Sequence, residues 1–460
     1  MLSWKKDLES SIPLYVQLSN HIHNNIILGK FPEGYKLPSQ RIMAKKLGVG
    51  RNTIIRALEM LAKDELIVIN SRAVALINKT TPQAACAWSE YFSRANLRPA
   101  MKEFWWDKGD RRDLVSLSDE FNVAKYYGEA IKACSKRSKD LHSTDPYGLP
   151  ALRESVIQHM KSCGVETSAD NVIICPSLDQ TIYTACASLL SQGMTLIHEP
   201  ATLLNVITNT HSLGANMQAV PQDDYGIIPS KLEQLLNVRK HAILFTDPIA
   251  HAPTGITTTE NRQRELMRVI QKHRMPVIEN GHKRDTWCDE PFPPPMKAID
   301  KNDNVIYMGA FQKSAVRMNM TWVIADKTFV RHLSSMLEQS TTLPSSIMQI
   351  IADEMFRSGK YYQLMEDMRQ FIRARRNMGL ELCDKYLKDI AQWEAARCGF
   401  HFWIKLNSKI NKNILYGAQN FSPGYFFDKS DTCHILFAPA SLPEAALEKT
   451  VKSIAKLVQK

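Results

Sequence analysis

The chain has 460 residues, of which 44% are hydrophobic and 23% are charged, and its formal net charge is +11. These values exclude a fibrous or intrinsically disordered chain, and no apolar run approaches the ~20 residues that a membrane-spanning helix needs. The nine cysteines are scattered without a Cys-x-x-Cys or His/Cys cluster, and the start MLSWKKDLES has no signal-peptide core. We therefore expect a protein of the reducing cytoplasm, without a metal site and with at least one large domain.

The first predicted helix spans residues 13–29. Its apolar residues recur at helical spacing and are Leu14, Leu18, Ile22 and Ile26. This spacing predicts that one face of the helix packs against neighbouring helices in a small core.

A second, shorter helix is predicted after Ser39, which is a favourable N-cap residue. Ile42, Met43 and Leu47 are expected to form its core-facing side. The helix should end at Gly48, because glycine readily adopts the left-handed conformation that ends many helices.

A third helix is predicted from residue 51 to residue 64, after the turn Gly48-Val49-Gly50. Ile54, Leu58 and Leu61 share one face, and Asn52 and Arg56 share another. A β-like run over residues 66–78 follows. Three helices and a β-hairpin in this order predict a winged helix-turn-helix.

The third helix carries the polar residues that such a motif uses to read DNA. Its first turns present Arg51, Asn52, Thr53 and Arg56 toward base edges and phosphates. The residues expected around the DNA backbone are Lys36, Ser39, Arg41, Lys45 and Lys46. The alternative is a helical hairpin with a solvated basic face. Residues 1–78 contain 11 Lys and Arg against 6 Asp and Glu, which favours the DNA interpretation.

Residues 11–78 resemble the winged helix-turn-helix of the GntR family. The matching strings are PLYVQL, GKFPEGYKLPSQR, LGVGRNT and ALEML. The resemblance implies DNA contacts by Arg41, Arg51, Asn52, Thr53 and Arg56. Two positions depart from the family pattern: the wing tip lacks glycines, which leaves Arg72 as its candidate contact, and Gly50 stands where a serine cap is usual.

The rest of the chain predicts a second, larger domain. Residues 79–112 are interpreted as a linker, 113–329 as a large domain and 330–460 as a smaller α/β lobe. Short β-branched runs such as NVIICPS, MTLIHEP, HAILFTDP and NVIYMGAF alternate with helical patterns. This alternation predicts a mostly parallel sheet with ligand sites at the C-terminal ends of its strands.

This region is similar to the aminotransferase-like module of fold type I, which depends on pyridoxal phosphate. The supporting strings are DPYGLPALR, DPIAHAPTG, VIENGH and GAFQKS. With the winged helix, the chain resembles the MocR subgroup of GntR regulators. The resemblance implies a homodimer that binds double-stranded operator DNA in a bacterial cytoplasm, associated with the nucleoid, and that responds to a small-molecule effector.

The resemblance places Lys313 where the family holds the cofactor aldehyde as a Schiff base. Several other cofactor positions are altered. Asn280 replaces the carboxylate that keeps the pyridine nitrogen protonated, and His282 replaces the phenol that contacts the ring oxygen. A substrate-binding arginine of the smaller lobe falls at His434.

The phosphate-binding positions are altered as well. The turn that cradles the phosphate reads Ser177-Leu178-Asp179, where an aspartate would repel a dianion or would simply cap the next helix. Arg317 could take the place of the family arginine through a shifted loop.

Three functions remain open on these residues. The leading hypothesis is a transcriptional regulator whose aminotransferase-like domain dimerises, senses an effector and has lost catalysis. The alternative is a working pyridoxal phosphate-dependent aminotransferase that uses Lys313. A third possibility is a cofactor-free regulator whose old pocket holds another ligand or only serves assembly. Asn280, His282, His251 and His434 could line such a pocket, although each of them would equally suit a satisfied buried position.

Overall fold

The structure is a computed structural model in which the chain forms two compact units, Met1–Leu97 and Arg98–Lys460. It describes residues 4, 6, 13–27, 30–70, 74–78, 117–143, 145–239, 241–289, 291–311, 318–340, 343–395, 400–410, 420–428 and 430–458. The predicted linker, 79–112, lies outside these ranges. The predicted division of the larger part at residue 329 stays a prediction.

The N-terminal unit contains the three helices and the hairpin that the sequence predicts. The elements are α1 (Leu14–Ile27), α2 (Gln40–Leu47), α3 (Arg51–Lys63), β1 (Ile67–Ile69) and β2 (Ala75–Ile77). The two strands pair in antiparallel register, with Ile67 opposite Ile77. The described part of this unit is therefore a winged helix-turn-helix.

The core of this unit is formed by one stripe from each helix. Leu18 and Ile22 of α1 are fully buried, as are Ile54 and Leu61 of α3. One prediction was wrong, because Ile42 of α2 is 57% exposed. In a two-turn helix the buried stripe follows i, i+4 spacing from Met43, and Ile42 lies about 100° around the helix from it.

The C-terminal unit alternates helices and strands along most of its length. Its helices are α4 (Gly128–Cys134), α5 (Ser138–Leu141), α6 (Pro150–Ser162), α7 (Leu178–Leu189), α8 (Leu204–Ser212), α9 (Pro229–Val238), α10 (Glu260–His273), α11 (Lys327–Gln339), α12 (Ser346–Arg357), α13 (Lys360–Leu387) and α14 (Glu444–Val458). Its strands are β3 (Val172–Cys175), β4 (Thr195–His198), β5 (Asn216–Ala219), β6 (Gln222–Asp223), β7 (Gly226–Ile227), β8 (Ala242–Thr246), β9 (Val277–Asn280), β10 (Val305–Ala310), β11 (Thr321–Ile324), β12 (Ala391–Ala395), β13 (Phe402–Leu406), β14 (Phe421–Pro423) and β15 (His434–Phe437).

A seven-stranded sheet organises this unit, in the order β3-β11-β10-β9-β8-β4-β5. β11 runs antiparallel to both of its neighbours, and the other pairs are parallel. β8 and β10 are buried along their whole length, because apolar cores cover both faces of the sheet. Ile306 and Met308 enter one core, and Tyr307 enters the other. The predicted mostly parallel sheet is confirmed.

A smaller four-stranded sheet, in the order β12-β13-β15-β14, is antiparallel throughout. Phe402 and Ile435 from this sheet pack with Leu387 of α13 and Val451 of α14 in a core of their own. The strands predicted at FHFWIKL and CHILFAP and the closing helix are present.

Seven cysteines fall within the described ranges, and all of them are free thiols. None of the helices that the structure describes is both long enough and apolar enough to cross a membrane.

Candidate functional sites

The turn between α2 and α3 is built by local backbone preferences. The Ser39 hydroxyl accepts a hydrogen bond of 3.4 Å from the backbone N–H of Ile42, which caps the start of α2. Gly48 ends α2 with a φ of 62°, in the left-handed region where glycine is favoured. Gly50 is the N-cap of α3 and supplies no side-chain cap. These residues fix the angle at which α3 leaves the turn.

The polar residues predicted to contact DNA lie on the outer side of α2 and α3. Those that are exposed are Lys36, Ser39, Arg41, Lys45, Lys46, Arg51, Asn52 and Arg56, and Thr53 is half-buried. Ile54, Leu58 and Leu61 of α3 are buried. Because the buried stripe faces α1 and α2, the basic residues of α3 face outward. Arg72, the predicted contact of the wing, lies outside the described residues.

Two contacts near this face are not evident in the sequence. The Arg56 guanidinium lies 5.8 Å from the centroid of the Tyr15 ring of α1, within cation–π range. The Lys6 ammonium donates a hydrogen bond of 3.0 Å to the carbonyl of Gly48. Both contacts join residues far apart in the chain, so spacing alone gives no signal for them.

The second site lies at the C-terminal ends of the adjacent parallel strands β4, β8 and β9. Glu199 follows β4, Asp247 follows β8, and Asn280 is the last residue of β9. All three residues are at most 3% exposed. We call this group, together with His251, His282, Lys283 and His401, the strand-end cluster.

Glu199 is held by neighbours from β8. Its Oε1 accepts hydrogen bonds from the Thr246 hydroxyl at 2.5 Å and from the Asp247 backbone N–H at 3.1 Å. Its Oε2 lies 4.0 Å from Nε2 of His251. Burial raises the pKa of Glu199 to about 7, because a low-dielectric site disfavours the carboxylate.

Lys283 supplies the positive charge of the strand-end cluster. Its Nζ lies 3.4 Å from Oδ2 of Asp247 and donates a hydrogen bond of 2.8 Å to the carbonyl of Ala250. Burial, reinforced by the nearby Lys283 ammonium, lowers the pKa of His251 and of His401 to about 3. Both histidines are therefore neutral at physiological pH.

Sequence reasoning found Asn280, His282 and His251 but missed the charged part of the cluster. Lys283 and Asp247 are 36 residues apart, and they meet only because β8 and β9 are neighbours. The available signal was that Asp247 directly follows a strongly apolar run, whereas Lys283 lies three residues beyond the end of β9.

Asn280 and His282 are paired with each other. Nδ1 of His282 lies 2.7 Å from Oδ1 of Asn280, so the amide oxygen serves as an acceptor. Among the described residues, Nδ2 of Asn280 is buried without a hydrogen-bond partner. A protonated pyridine ring would need an acceptor at this position. Asn280 instead presents a donor, and the site therefore does not fit a pyridinium.

The turn at the start of α7 does not fit a phosphate either. Ser177 is the N-cap of α7, and its hydroxyl accepts a hydrogen bond from the backbone N–H of Gln180. Asp179 is exposed in the first helical turn, and its Oδ1 accepts a hydrogen bond of 2.8 Å from Asn205. A carboxylate thus occupies the anion-attracting helix end. Lys313 and Arg317 lie outside the described residues.

His434 belongs to a different environment. It lies 2.9 Å from an Asp431 carboxylate oxygen and stacks on the Trp403 ring with centroids 5.0 Å apart. These partners satisfy His434 within the smaller sheet, and no described contact joins it to Asn280, His282 or His251. Of the four residues of the predicted pocket, only Asn280 and His282 are joined by a described contact. His251 lies nearby in the strand-end cluster.

The fold also gathers two His/Cys/Asp groups that the sequence did not indicate. In the buried group, His159, Cys163 and Asp285 have their ligand atoms within 4.8 Å of one another. Nε2 of His159 lies 3.1 Å from Asp285, whose carboxylate also accepts a hydrogen bond from the Tyr361 hydroxyl. The second group is Asp431, Cys433 and His434.

Comparison with known proteins identifies relatives over nearly the whole chain. The uncharacterized HTH-type transcriptional regulator YdfD of Bacillus subtilis is 29% identical and aligns over 97% of both chains. The HTH-type transcriptional regulator NorG of Staphylococcus aureus is 22% identical over 88% of this chain and 95% of its own.

Solved structures resemble the C-terminal part in fold. A Pyrococcus horikoshii kynurenine aminotransferase in complex with PMP superposes with a TM-score of 0.68 at 20% identity, covering 76% of this chain and 91% of its own. The multiple substrate aminotransferase of Thermococcus profundus gives a TM-score of 0.67 at 18% identity, covering 85% and 97%. At such identities the likeness shows the fold alone.

Two family models match consecutive parts of the chain. Residues 14–77 match the gntR family of bacterial regulatory proteins, and residues 119–453 match aminotransferase class I and II. The second match covers most of the chain. The chain therefore belongs to the aminotransferase class I and II family and carries an N-terminal gntR-type helix-turn-helix, the composition of the MocR subgroup.

Proposed function

We propose that this protein is a transcriptional regulator of a bacterial cytoplasm, in which α3 enters the major groove of an operator and the C-terminal unit dimerises and senses a small molecule. The observation that carries the DNA-binding role is the two-sided character of α3. Ile54 and Leu61 are fully buried, whereas Arg51, Asn52 and Arg56 are exposed on the other side. The regulator names of YdfD and NorG support the same role.

The test of DNA binding uses duplexes that the full-length protein selects from a random pool. Arg51→Ala and Arg56→Ala should each weaken binding by about 1–3 kcal/mol and relax the base preference. Lys45→Ala should weaken binding to all sequences and reduce the dependence of affinity on salt, as loss of a phosphate contact does.

Lys63→Ala provides the matched control, since Lys63 is an exposed cation in the last turn of α3. Its affinity for the selected duplex should equal that of the parent. If both arginine variants bind the selected duplex as tightly as the parent, α3 is not the recognition helix.

We further propose that the C-terminal unit does not perform transamination. Electron withdrawal by pyridoxal phosphate depends on a protonated ring nitrogen, and Asn280 offers an amide donor where a carboxylate is needed. Asp179 places a negative charge where a phosphate would bind. Within the strand-end cluster, the buried ammonium of Lys283 pairs with the carboxylate of Asp247, so the two charges balance each other.

An absorbance spectrum of the purified full-length protein tests this part of the proposal. Titration with pyridoxal phosphate should give no Schiff-base band that disappears in the Lys313→Ala variant, and amino acids should not be turned over. A saturable band that depends on Lys313, accompanied by turnover, would instead identify a working aminotransferase with an appended DNA-binding domain.

A further inference from the structure

A cleft lies at the edge of the large sheet opposite the strand-end cluster. It has a volume of about 470 Å³ and is bordered by residues at the N-terminal ends of β4, β8 and β9, among them Met194, Ala242 and Pro276. Its walls combine apolar side chains with a nearly equal share of polar ones. A cleft of this size is typical of small-molecule sites.

The polar side chains of the cleft are mainly basic. Arg239 and His241 lie on the segment between α9 and β8, and His273 and Arg274 lie at the end of α10. No Asp or Glu belongs to the lining among the described residues. The acid Glu233, on neighbouring α9, is held 2.6 Å from Lys272. The charge of the described lining is therefore positive.

The negative helix ends offset most of this positive charge but not all of it. Helices α7, α9 and α10 end at the cleft, and each helix C-terminus carries about half a negative elementary charge. The guanidiniums of Arg239 and Arg274 exceed that sum by roughly half a charge. His241 and His273 add ring nitrogens that can donate further hydrogen bonds.

Two further observations concern the residues at the end of α10. Arg274 has a φ of 50°, a backbone conformation in which glycine would be unstrained. Arg274 is exposed, and its side chain lines the cleft. In addition, Nε2 of His273 is buried and has no hydrogen-bond partner among the described residues.

From these observations we infer that the cleft binds a small organic anion, a carboxylate with a compact apolar body. The carboxylate pairs with Arg239 and Arg274 and accepts a hydrogen bond from His273. The apolar body packs against Leu236 and Met275, which are both buried. Binding of the anion in the cleft does not depend on whether the protein binds DNA. Only the role of this anion as an effector rests on the proposed function.

Three compounds of the same shape and different charge test the inference by calorimetric titration of the full-length protein. Benzoate should bind saturably at one site. Benzamide should bind at least tenfold more weakly, and benzamidine should not bind, because the guanidiniums repel its charge. Absence of saturable benzoate binding, or equal binding of benzoate and benzamidine, would overturn the inference.

Variants assign the binding to this cleft. Arg274→Gly removes the guanidinium and suits the local φ, so the fold is preserved and benzoate affinity should fall at least tenfold. Arg239→Met should act in the same direction. Arg268→Met is the control, since Arg268 is exposed on α10 outside the lining. Unchanged benzoate binding in the Arg274→Gly variant would place the anion elsewhere and contradict the inference. DNA binding is measured in a separate experiment, and its result does not depend on this outcome.

Discussion

Arg56 is held by an aromatic ring before any DNA is present. A flexible arginine loses rotamer freedom when it binds a base edge, and the Tyr15 ring at 5.8 Å limits that freedom in advance. Tyr15 lies on α1, which carries no predicted DNA contact. We therefore propose that Tyr15 is a positioning residue that acts through Arg56.

Replacement of Tyr15 tests this role. Tyr15→Leu should weaken binding to a selected duplex about two- to fivefold, because a partly exposed cation–π contact contributes ~0.5–1 kcal/mol. Tyr15→Phe keeps the ring and should bind as the parent does. In an Arg56→Ala background, Tyr15→Leu should have no further effect on the dissociation constant measured by fluorescence anisotropy. An equal loss in both backgrounds would show that Tyr15 acts on the fold and not through Arg56.

Glu199 should make stability depend on pH. Its pKa rises from an ordinary 4.5 to about 7 in the folded chain, so the folded state binds more protons than the unfolded state between these values. Its stabilising contribution is fully present below pH 4.5 and is lost as the pH rises through 7. The loss reaches about 3 kcal/mol, from 1.36 kcal/mol per pKa unit.

The Glu199→Gln variant isolates this contribution, because glutamine keeps the shape and cannot ionise. We expect the variant and the parent to have similar unfolding free energies near pH 4.5 and the variant to be increasingly more stable up to pH 8, in urea titrations. For Glu338→Gln, on the exposed surface of α11, the difference from the parent should be constant across this range. A constant difference for Glu199→Gln as well would show that its carboxyl titrates normally.

At the scale of elements, α2 and α3 have unequal caps. Ser39 accepts a hydrogen bond from the first turn of α2, whereas Gly50 leaves the first turn of α3 without a side-chain partner. The φ and ψ of Gly50 are −64° and 145°, which any residue can adopt, and a Cβ there would meet only Thr53 Oγ1 at 4.0 Å. A serine is therefore compatible with this position.

Opposite changes at the two caps should have opposite effects. Ser39→Ala should destabilise α2 by about 1 kcal/mol, and Gly50→Ser should stabilise α3 by a few tenths of a kcal/mol. Amide hydrogen exchange of the first turn of each helix measures both effects in the full-length chain. Faster exchange in α3 of the Gly50→Ser variant would contradict the assigned cap geometry.

Periodicity was sufficient to predict α1, α3 and the alternating part of the large sheet. It failed at Ile42, because two turns of helix provide too few positions to define a stripe. It also located Asn280 and His282 after a strand but could not foresee the pairing of Lys283 with Asp247, which depends on strand order. Local signals predict elements, whereas charged contacts between elements require the topology.

For the whole molecule, we expect a dimer, as the resemblance to the MocR subgroup implies. Sedimentation equilibrium should give twice the 52.3 kDa of one chain. Footprints on selected DNA should show two half-sites, since two winged helices are then presented by one particle. A monomeric mass at micromolar concentration, together with a single half-site, would show that the C-terminal unit does not dimerise.

For the sensing role proposed above, the carboxylate of Asp179 has a consequence at the start of α7. It is held by Asn205 in the first turn of α7, where a bound phosphate would otherwise sit. Sugar phosphates and nucleotides are abundant inside cells and would compete for any open anion site at this helix. With its own acid in that place, the start of α7 is expected to exclude these phosphates.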